Sequence, residues 1–368
     1  MMEKEIREPF PRIATLDGFR ALAILAVVAY HYTIRWSAPA DVPPHIRGPS
    51  PFVGFLPFEY GWMGVELFFV ISGFVILMTL KRSRGPLEFA WRRFARLWPT
   101  LIVAAALTAL AVDFLGPPDW RVSLIDYAAS LIVANPRLLA FVGVYAHWVD
   151  GAYWSLWVEL RFYVLVAALY FLAGRQFLRA WLGCQLVTAI MWLAIPGITS
   201  VVTFPAFIPY LTVGICVFEL WSGTKERKLA TGGMLFAVGL ILFDAALARG
   251  LFQAASAPVS IAANLLIFAL FWLFLVDHPI LKPFAWKPVV LLGQASYSLY
   301  LIHENVGIAL FRHLSGIPYL LALPLVVGTC VAASLGTLYF VEIPSKKWLT
   351  QNVSGKPLSM LREAPEGL

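Results

Sequence analysis

Ten apolar runs, each of about the length that a membrane-spanning helix requires, occupy most of this chain. They lie near residues 16–34, 62–80, 99–116, 153–173, 177–195, 204–221, 230–248, 258–276, 289–311 and 318–341. A helix needs about 20 predominantly apolar residues to cross a bilayer, because its backbone polar groups must be satisfied within the lipid. Of the 368 residues, 60% are hydrophobic and only 13% are charged, which excludes an ordinary soluble protein. We therefore predict an all-α polytopic membrane protein with about ten transmembrane helices.

The distribution of lysine and arginine between these runs predicts the orientation. With a cytoplasmic N-terminus, 20 of the 28 basic residues fall in cytoplasmic segments and six in outer segments, while Arg20 and Arg161 lie inside spans. Cytoplasmic loops of membrane proteins carry such an excess of positive charge. Both termini are then predicted to be cytoplasmic. The net charge of +7 follows from this topology, and we expect no nucleic-acid partner.

A weaker apolar run at 122–142 carries Asp126, and counting it as an eleventh span would invert every later loop. We expect segment 117–152 to lie on the outer side or to re-enter the membrane, buried in protein or lining a cavity. The expected layout is one membrane domain, residues 1–348, with an uncleaved first helix, followed by a polar cytoplasmic tail, residues 349–368.

Two ionisable residues, Arg20 and His31, lie eleven positions apart in the first apolar run. Eleven residues advance a helix by about 1100°, or three turns plus roughly 20°, and by about 16 Å along its axis. The two side chains therefore share one face. An ionisable residue inside a membrane is costly unless it faces a polar cavity or a partner, so the pair is a functional-site hypothesis. The alternative is an arginine that reaches back to the interface and a hydrogen-bonded core histidine.

Glu66, near the outer end of the second predicted span, is expected at a depth similar to that of His31. A carboxylate bonded to one imidazole nitrogen fixes the tautomer and leaves the other nitrogen as a base. We therefore expect Glu66 to orient His31. A buried pair that only ties two helices together is the alternative.

Arg93 and Arg96 are three positions apart in the second basic segment and would lie on one helical face. Two neighbouring guanidinium groups form a fork suited to bidentate phosphate contacts. The alternative is that these arginines only satisfy the charge rule for cytoplasmic loops.

Further polar residues lie inside later apolar runs. Glu159 and Arg161 are two positions apart and point away from each other on a helix, so different partners are expected. We assign Glu159, Tyr297, Ser298 and His303 a supporting role at the substrate site or in the structure. For the two hydroxyl residues, helix packing is the alternative. The three cysteines have no metal-ligand spacing, and we expect no metal site.

Taken in order along the chain, these elements resemble the acyltransferase-3 family of membrane acyltransferases, from about Leu16 to Trp348. The carrying elements are Leu16-Asp17-Gly18-Phe19-Arg20 with His31 at the R-x10-H spacing, Gly64-Val65-Glu66-Leu67-Phe68-Phe69, Arg93 with Arg96, Trp154-Ser155-Leu156 with Glu159, Ser296-Tyr297-Ser298-Leu299-Tyr300-Leu301-Ile302-His303, and Val341-Glu342-Ile343-Pro344-Ser345-Lys346-Lys347-Trp348.

The resemblance implies an acyl-CoA-dependent O-acyltransferase that moves an acyl group, most often acetyl, to a hydroxyl of a carbohydrate. By position, it implies His31 as the catalytic histidine, Arg20 in donor binding or catalysis, and Arg93 and Arg96 as contacts to the CoA phosphates. It also implies acyl-CoA as a co-substrate with no permanently bound cofactor, a cell-surface polysaccharide or lipid-linked sugar as acceptor, and a place in the bacterial inner membrane.

Two departures from the family pattern accompany this resemblance. Glu159-Leu160-Arg161 stands where family members often have two acids followed by glutamine, which indicates a different acceptor pocket. Many relatives also carry a C-terminal hydrolase-like domain. Because only the tail 349–368 follows here, we expect any acyl relay through such a domain to need a separate protein.

We expect His31, oriented by Glu66, to act as a general base on the acceptor hydroxyl, and a covalent acyl-histidine route fits the same residues. Acylation of a non-carbohydrate small molecule such as a macrolide is an alternative. A second is a polytopic transporter of glycan-like substrates that uses the intramembrane charges as a proton relay. The third is a structural or sensory membrane protein whose polar residues only hold helices together.

Overall fold

The computed structural model describes residues 12–35, 51–195, 204–247 and 256–351. Within these ranges every regular element is helical and there is no β-strand. The helices, numbered in chain order, are α1 (Ala14–Tyr30), α2 (Leu56–Glu59), α3 (Gly64–Arg82), α4 (Pro86–Leu115), α5 (Leu124–Leu131), α6 (Pro136–Phe141), α7 (Trp154–Ala173), α8 (Phe177–Ala194), α9 (Ile208–Trp221), α10 (Arg227–Ala246), α11 (Ala257–Leu275), α12 (Lys287–Gln294), α13 (Ser296–His313), α14 (Tyr319–Thr337) and α15 (Ile343–Gln351). The π-helical turns His31–Arg35 and Leu338–Glu342 continue α1 and α14.

The ten apolar runs all fall on helices, which confirms the all-helical prediction for the described part of the chain. In that part, seven helical stretches are long and apolar enough to cross a membrane. One of them, Gly151–Ala194, contains both α7 and α8. Helix α9 is apolar but has only 14 residues. The helices indicate an integral membrane protein, while the count of ten spans and the orientation stay predictions.

Two helices differ from the predicted spans. Helix α4 begins at Pro86, well before the predicted start at residue 99, because proline is favoured in the first turn of a helix. The arginine-rich segment is therefore part of this helix. The ninth predicted span, 289–311, is divided at Ala295 into α12 and α13. Near this break Gly293 packs so closely on the carbonyl oxygen of Asp17 that an added Cβ would overlap it.

Helices α1 and α3 approach closely, and this contact positions the functional site. An added Cβ at Gly64 would overlap the carbonyl oxygen of Ala23 in α1. Small residues allow such backbone contact between membrane helices. As a result, Glu66 in α3 and His31 at the end of α1 line one cavity.

The segment 117–152 contains two helices, α5 and α6, that are too short to cross a bilayer. It packs on the side of α4. The Trp98 indole donates a hydrogen bond of 3.0 Å to the Leu131 carbonyl, and the Tyr127 hydroxyl donates one of 3.0 Å to the Ile102 carbonyl. Helix α5 is thus held against α4, while Leu124, Phe141 and Tyr145 are largely exposed.

Candidate active site

His31 stands at the first position of the π-helical turn that ends the first helix. Such turns are rare and occur often at functional sites. Its Nδ1 atom lies 3.0 Å from the Val27 carbonyl oxygen and 3.2 Å from Nε2 of His303. His303 is fully buried in α13, and its Nδ1 atom lies 2.8 Å from the Tyr300 carbonyl oxygen. The structure therefore brings together two histidines that the sequence analysis treated separately.

The hydrogen-bond network assigns the tautomers of both histidines. Because a carbonyl oxygen only accepts, Nδ1 of His303 carries the proton and its Nε2 presents a lone pair. Nδ1 of His31 faces two acceptors, this lone pair and the Val27 carbonyl oxygen, so it carries a proton as well. Nε2 of His31 is left with a free lone pair, which is what a general base or a nucleophile needs.

Glu304, the residue after His303, is the carboxylate within ion-pair distance of His31. Its Oε1 atom lies 3.7 Å from Nε2 of His31. Glu66 instead contacts the hydroxyl of Tyr210, and its Oε2 atom has no hydrogen-bond partner among the described residues. The predicted pairing of Glu66 with His31 is therefore wrong, because the packing of α3 turns this carboxyl group toward α9. Glu304 could have been identified from the sequence as an acidic residue inside an apolar run.

Asp150 lies next to Glu304 and is fully buried. Its two carboxylate oxygens accept hydrogen bonds of 2.9 Å from the backbone N–H groups of Ala152 and Asn305. Burial and the neighbouring Glu304 raise the pKa of Asp150 well above its ordinary value. Gly151 fits between the two acids, since an added Cβ there would lie 3.0 Å from Oε2 of Glu304. The turn before α7 thus holds the acidic side of the site.

Three cavities lie in series between His31 and the basic residues. The outer chamber, of about 40 Å³, is lined by Tyr30, His31, Trp62, Val65, Glu66, Ala152, Trp154, Phe207 and Tyr300. The middle chamber, of about 100 Å³, shares Val65 and Tyr300 with it. The basic chamber, of about 430 Å³, shares Arg20, Arg93 and Arg96 with the middle chamber. Neighbouring chambers therefore have walls in common, and Arg20 and His31 face the same series of cavities.

The middle chamber contains two of the predicted supporting residues. Glu159 accepts hydrogen bonds from Ser72, at 3.2 Å, and from the Tyr163 hydroxyl. Tyr297 donates to the Leu97 carbonyl oxygen at 3.2 Å. Ser298, in contrast, lies outside all three chambers.

Ser298 bonds the backbone carbonyl oxygen of Ser334 at 3.0 Å. This contact links α13 to α14. Helix packing is therefore the role that the contacts of Ser298 support.

The basic chamber has a large excess of positive charge. Its lining includes seven cationic side chains and only two carboxylates, and these residues are Arg12, Arg20, Arg82, Arg92, Arg93, Arg96, Lys346, Asp17 and Glu342. Such a wall suits a ligand with several negative charges. Three of these arginines, Arg20, Arg93 and Arg96, were predicted from the sequence. Lys346 was not, although its position one helical turn after Glu342 was visible in the sequence.

Four of the six arginines of this chamber, Arg12, Arg20, Arg92 and Arg96, have a carboxylate partner in the described part of the chain. Asp17 lies 2.7 Å from Arg12 and 3.3 Å from Arg20. Arg96 contacts Glu342 directly. The Arg93 guanidinium lies 5.7 Å from the ring centre of Tyr163, and its Nε atom is buried without a hydrogen-bond partner in the part of the chain that the structure describes. Arg93 is thus well placed to receive an anion.

Within the four described ranges no group of three or more His, Cys, Asp or Glu side chains is arranged to hold a metal ion.

Comparisons with known proteins agree with the membrane architecture. The acyltransferase-3 family model, described as an acyltransferase domain, matches residues 13–340. The chain is 26% identical to the peptidoglycan O-acetyltransferase OatA of Listeria monocytogenes over 83% of this chain and 51% of that protein. It is 24% identical to the putative peptidoglycan O-acetyltransferase YrhL of Bacillus subtilis, over 90% of this chain and 54% of that protein. It is 29% identical to the exopolysaccharide production protein ExoZ of Rhizobium meliloti, over 67% and 76% of the two chains.

The chain spans about half the length of the first two relatives. No solved structure matches it. Since the family model covers nearly the whole chain, from the residue before the first helix to the end of the last predicted span, the protein belongs to the acyltransferase-3 family.

Proposed function

We propose that this protein is a membrane-embedded O-acyltransferase that moves an acetyl group from cytosolic acetyl-CoA to a hydroxyl group of a carbohydrate. The observation that carries the proposal is the series of chambers from the seven cations to the free lone pair of His31. The carbohydrate acceptor is supported by the relatives, two of which are named for peptidoglycan O-acetylation and one for exopolysaccharide production.

The donor would enter through the basic chamber. CoA carries several phosphate charges, and guanidinium groups bind phosphate through paired, charge-assisted hydrogen bonds. We assign this contact to Arg93, Arg96 and Arg20. The pantetheine arm would then extend through the middle chamber past Glu159. Arg20 and His31 are about 16 Å apart along the helix axis, which is the order of length of an extended pantetheine arm.

The chemistry would take place at His31. Its Nε2 atom would remove the proton from the acceptor hydroxyl, and the hydroxyl oxygen would attack the thioester carbonyl carbon. A C–O bond forms, the C–S bond breaks, and the CoA thiolate takes the proton from the imidazolium. Glu304, at 3.7 Å, would stabilise that imidazolium. General-base assistance contributes on the order of 10²–10⁴ in rate. An acyl-histidine intermediate would use the same lone pair.

The acceptor would bind in the outer chamber. Trp62, Trp154 and Phe207 offer apolar ring faces to a sugar, and the unpaired carboxyl oxygen of Glu66 offers an acceptor for its hydroxyl groups. This gives Glu66 a role in holding the acceptor. The ring-lined shape favours a carbohydrate over a substrate without apolar faces.

We further propose ten spans in the bacterial inner membrane, with both termini cytoplasmic. The basic chamber takes its cations from the N-terminal segment, from the region of Arg82 and Arg92, and from the helix of Lys346. All three regions are predicted to be cytoplasmic from the lysine and arginine distribution. The donor chamber would then open to the compartment that supplies acyl-CoA.

The proposal is tested by the release of free CoA thiol from acetyl-CoA by the purified protein in detergent, without an acceptor. We expect slow release by the wild type and none by His31→Ala. The control is His313→Ala, which removes an exposed histidine at the end of α13. Equal release by wild type and His31→Ala would contradict the assignment of His31. If neither protein releases thiol or binds acetyl-CoA, the donor assignment is wrong.

A further inference from the structure

The segment that follows the last predicted span brings two charged residues into the basic chamber. Glu342 is the last residue of the π-helical turn, and Lys346 lies one helical turn later in α15. Residues four positions apart share a helix face, and both line the chamber. The Trp91 indole holds α15 against α4 through a hydrogen bond of 2.9 Å to the Leu349 carbonyl oxygen. This short helix is therefore a fixed part of the chamber wall.

Glu342 forms an ion pair with Arg96, the arginine that lies between the basic and the middle chamber. It contacts Arg96 directly, and only 7% of the Glu342 side chain and 19% of the Arg96 side chain are exposed. Arg96 lines both the basic and the middle chamber. The second carboxylate oxygen of Glu342, Oε2, is buried and accepts no hydrogen bond in the described part of the chain. A carboxylate that is held by one partner and has a free second oxygen is an incompletely satisfied group.

We propose that Glu342 is an internal counter-ion that occupies Arg96 until a phosphate group of the donor displaces it, and that Lys346 belongs to the same phosphate site. The inference rests on the proposed function, since it takes acyl-CoA as the ligand of the basic chamber. The exchange replaces one anion by another on Arg96. No covalent bond changes.

The exchange gives the chamber a preference for polyanions. A ligand with one negative charge gains little binding free energy by displacing Glu342, because it only replaces the single negative charge of that carboxylate at Arg96. A ligand with several phosphates also reaches Arg93, Arg20 and Lys346, so it gains contacts that Glu342 alone does not provide. Glu342 would thus disfavour the binding of anions with a single charge but still allow CoA to bind. The specificity comes from competition between Glu342 and the ligand for Arg96.

The test is isothermal titration of the purified full chain in detergent with CoA, dephospho-CoA and pantetheine. Arg96 is open to phosphate only in the fraction of molecules in which Glu342 has left it, and the apparent affinity for CoA is reduced by that fraction. We therefore expect Glu342→Gln to bind CoA about fivefold or more tightly than the wild type. Loss of a charge-assisted phosphate contact should weaken CoA binding about fivefold or more in Lys346→Gln. Lys347→Gln is the matched control, because Lys347 is the next residue and is absent from the chamber wall. Pantetheine binding should be the same in all four proteins.

Unchanged or weaker CoA binding by Glu342→Gln, in a protein that keeps its melting temperature, would overturn the inference. If that variant does not fold, Glu342→Asp shortens the same side chain and keeps its charge. Glu342→Asp should still bind CoA more tightly than the wild type, and unchanged affinity would also overturn the inference. A wild type that binds pantetheine as tightly as CoA would instead contradict the proposed donor site itself, whatever Glu342 does.

Discussion

Nε2 of His303 lies 3.2 Å from Nδ1 of His31, so two histidines that are 272 positions apart in the chain share one hydrogen bond. The bond is directed, because Nδ1 of His303 is committed to the Tyr300 carbonyl oxygen. Under the proposed function His303 would be a positioning residue that keeps the proton of His31 on Nδ1. The lone pair of His31 then lies on the nitrogen that faces Glu304.

Removal of His303 should therefore lower the rate of transfer without weakening donor binding. We expect His303→Ala to reduce kcat by about tenfold to a hundredfold, within the range that acid–base positioning contributes, with little change in KM for acetyl-CoA. In His303→Gln the amide oxygen can accept the bond from His31, so part of the activity should return. Steady-state kinetics of the three proteins measure both effects. Full activity of His303→Ala would show that the tautomer of His31 is fixed without it.

Glu304 and Glu66 should differ in what their removal changes. Glu304→Gln removes the negative charge 3.7 Å from Nε2 of His31 and should lower kcat by about tenfold or more. Glu66→Gln should mainly raise KM for the acceptor, because Glu66 lines the outer chamber without contacting His31. Kinetics at varied acceptor concentration separate the two effects. The reverse pattern, with the larger loss of kcat in Glu66→Gln, would restore Glu66 as the partner of His31.

The contact between α1 and α3 should tolerate no side chain at Gly64. Gly64→Ala places a Cβ against the carbonyl oxygen of Ala23 and should lower the melting temperature and the activity together, since the helices must separate. Gly239→Ala in α10 is the control, because no atom outside its own helix lies within 4 Å of an added Cβ. That variant should be neutral or slightly stabilising, as alanine is favoured over glycine in a helix. Equal melting temperatures for wild type and Gly64→Ala would mean that the helices are not in close contact there.

Asp126 should make the stability of segment 117–152 depend on pH. Partial burial raises the pKa of Asp126, but hydrogen bonds from Ser123 and from the His147 backbone outweigh it and hold the pKa below its ordinary value. The carboxylate therefore adds stability above the unfolded pKa of about 4, and this stability is lost as the pH falls through the lower folded value.

Asp126→Asn should accordingly cost about 1 kcal/mol at neutral pH, the usual value of a capping interaction, and less at low pH. Melting temperatures at neutral pH and at about pH 3 measure this difference. Asp113→Asn, which changes an exposed acid at the end of α4, is the control. An equal loss of melting temperature at both pH values would rule out a contribution from the charge of Asp126.

Local features of the site could be predicted from the sequence because they depend on helix periodicity alone. Arg20 and His31 face the same series of chambers, as eleven residues on one helix require. Arg93 and Arg96 likewise share a face of α4 and line the same two chambers. Pro86 was the available signal that this helix begins before the arginines and not at residue 99.

Partners between helices could not be predicted, because tertiary packing selects them. His31 is paired with Glu304 instead of Glu66, and Arg96 contacts Glu342 from the far end of the chain. Several acids lie inside apolar runs, and helix periodicity gives no means of choosing among them. The break at Ala295 lies next to another tertiary contact, that of Gly293 with α1, which the sequence does not reveal.

In the proposed function the donor arm passes from the basic chamber through the middle chamber, and a thiol at Ser72 would report this passage. Ser72 lines the middle chamber and lies 3.2 Å from Glu159. In Ser72→Cys, a methanethiosulfonate reagent should label the new thiol and stop acetyl transfer, and saturating acetyl-CoA should slow the labelling. The wild type, whose Cys184, Cys216 and Cys330 are free, is the control for native thiols. Labelling of Ser72→Cys at an unchanged rate under saturating acetyl-CoA would contradict the claim.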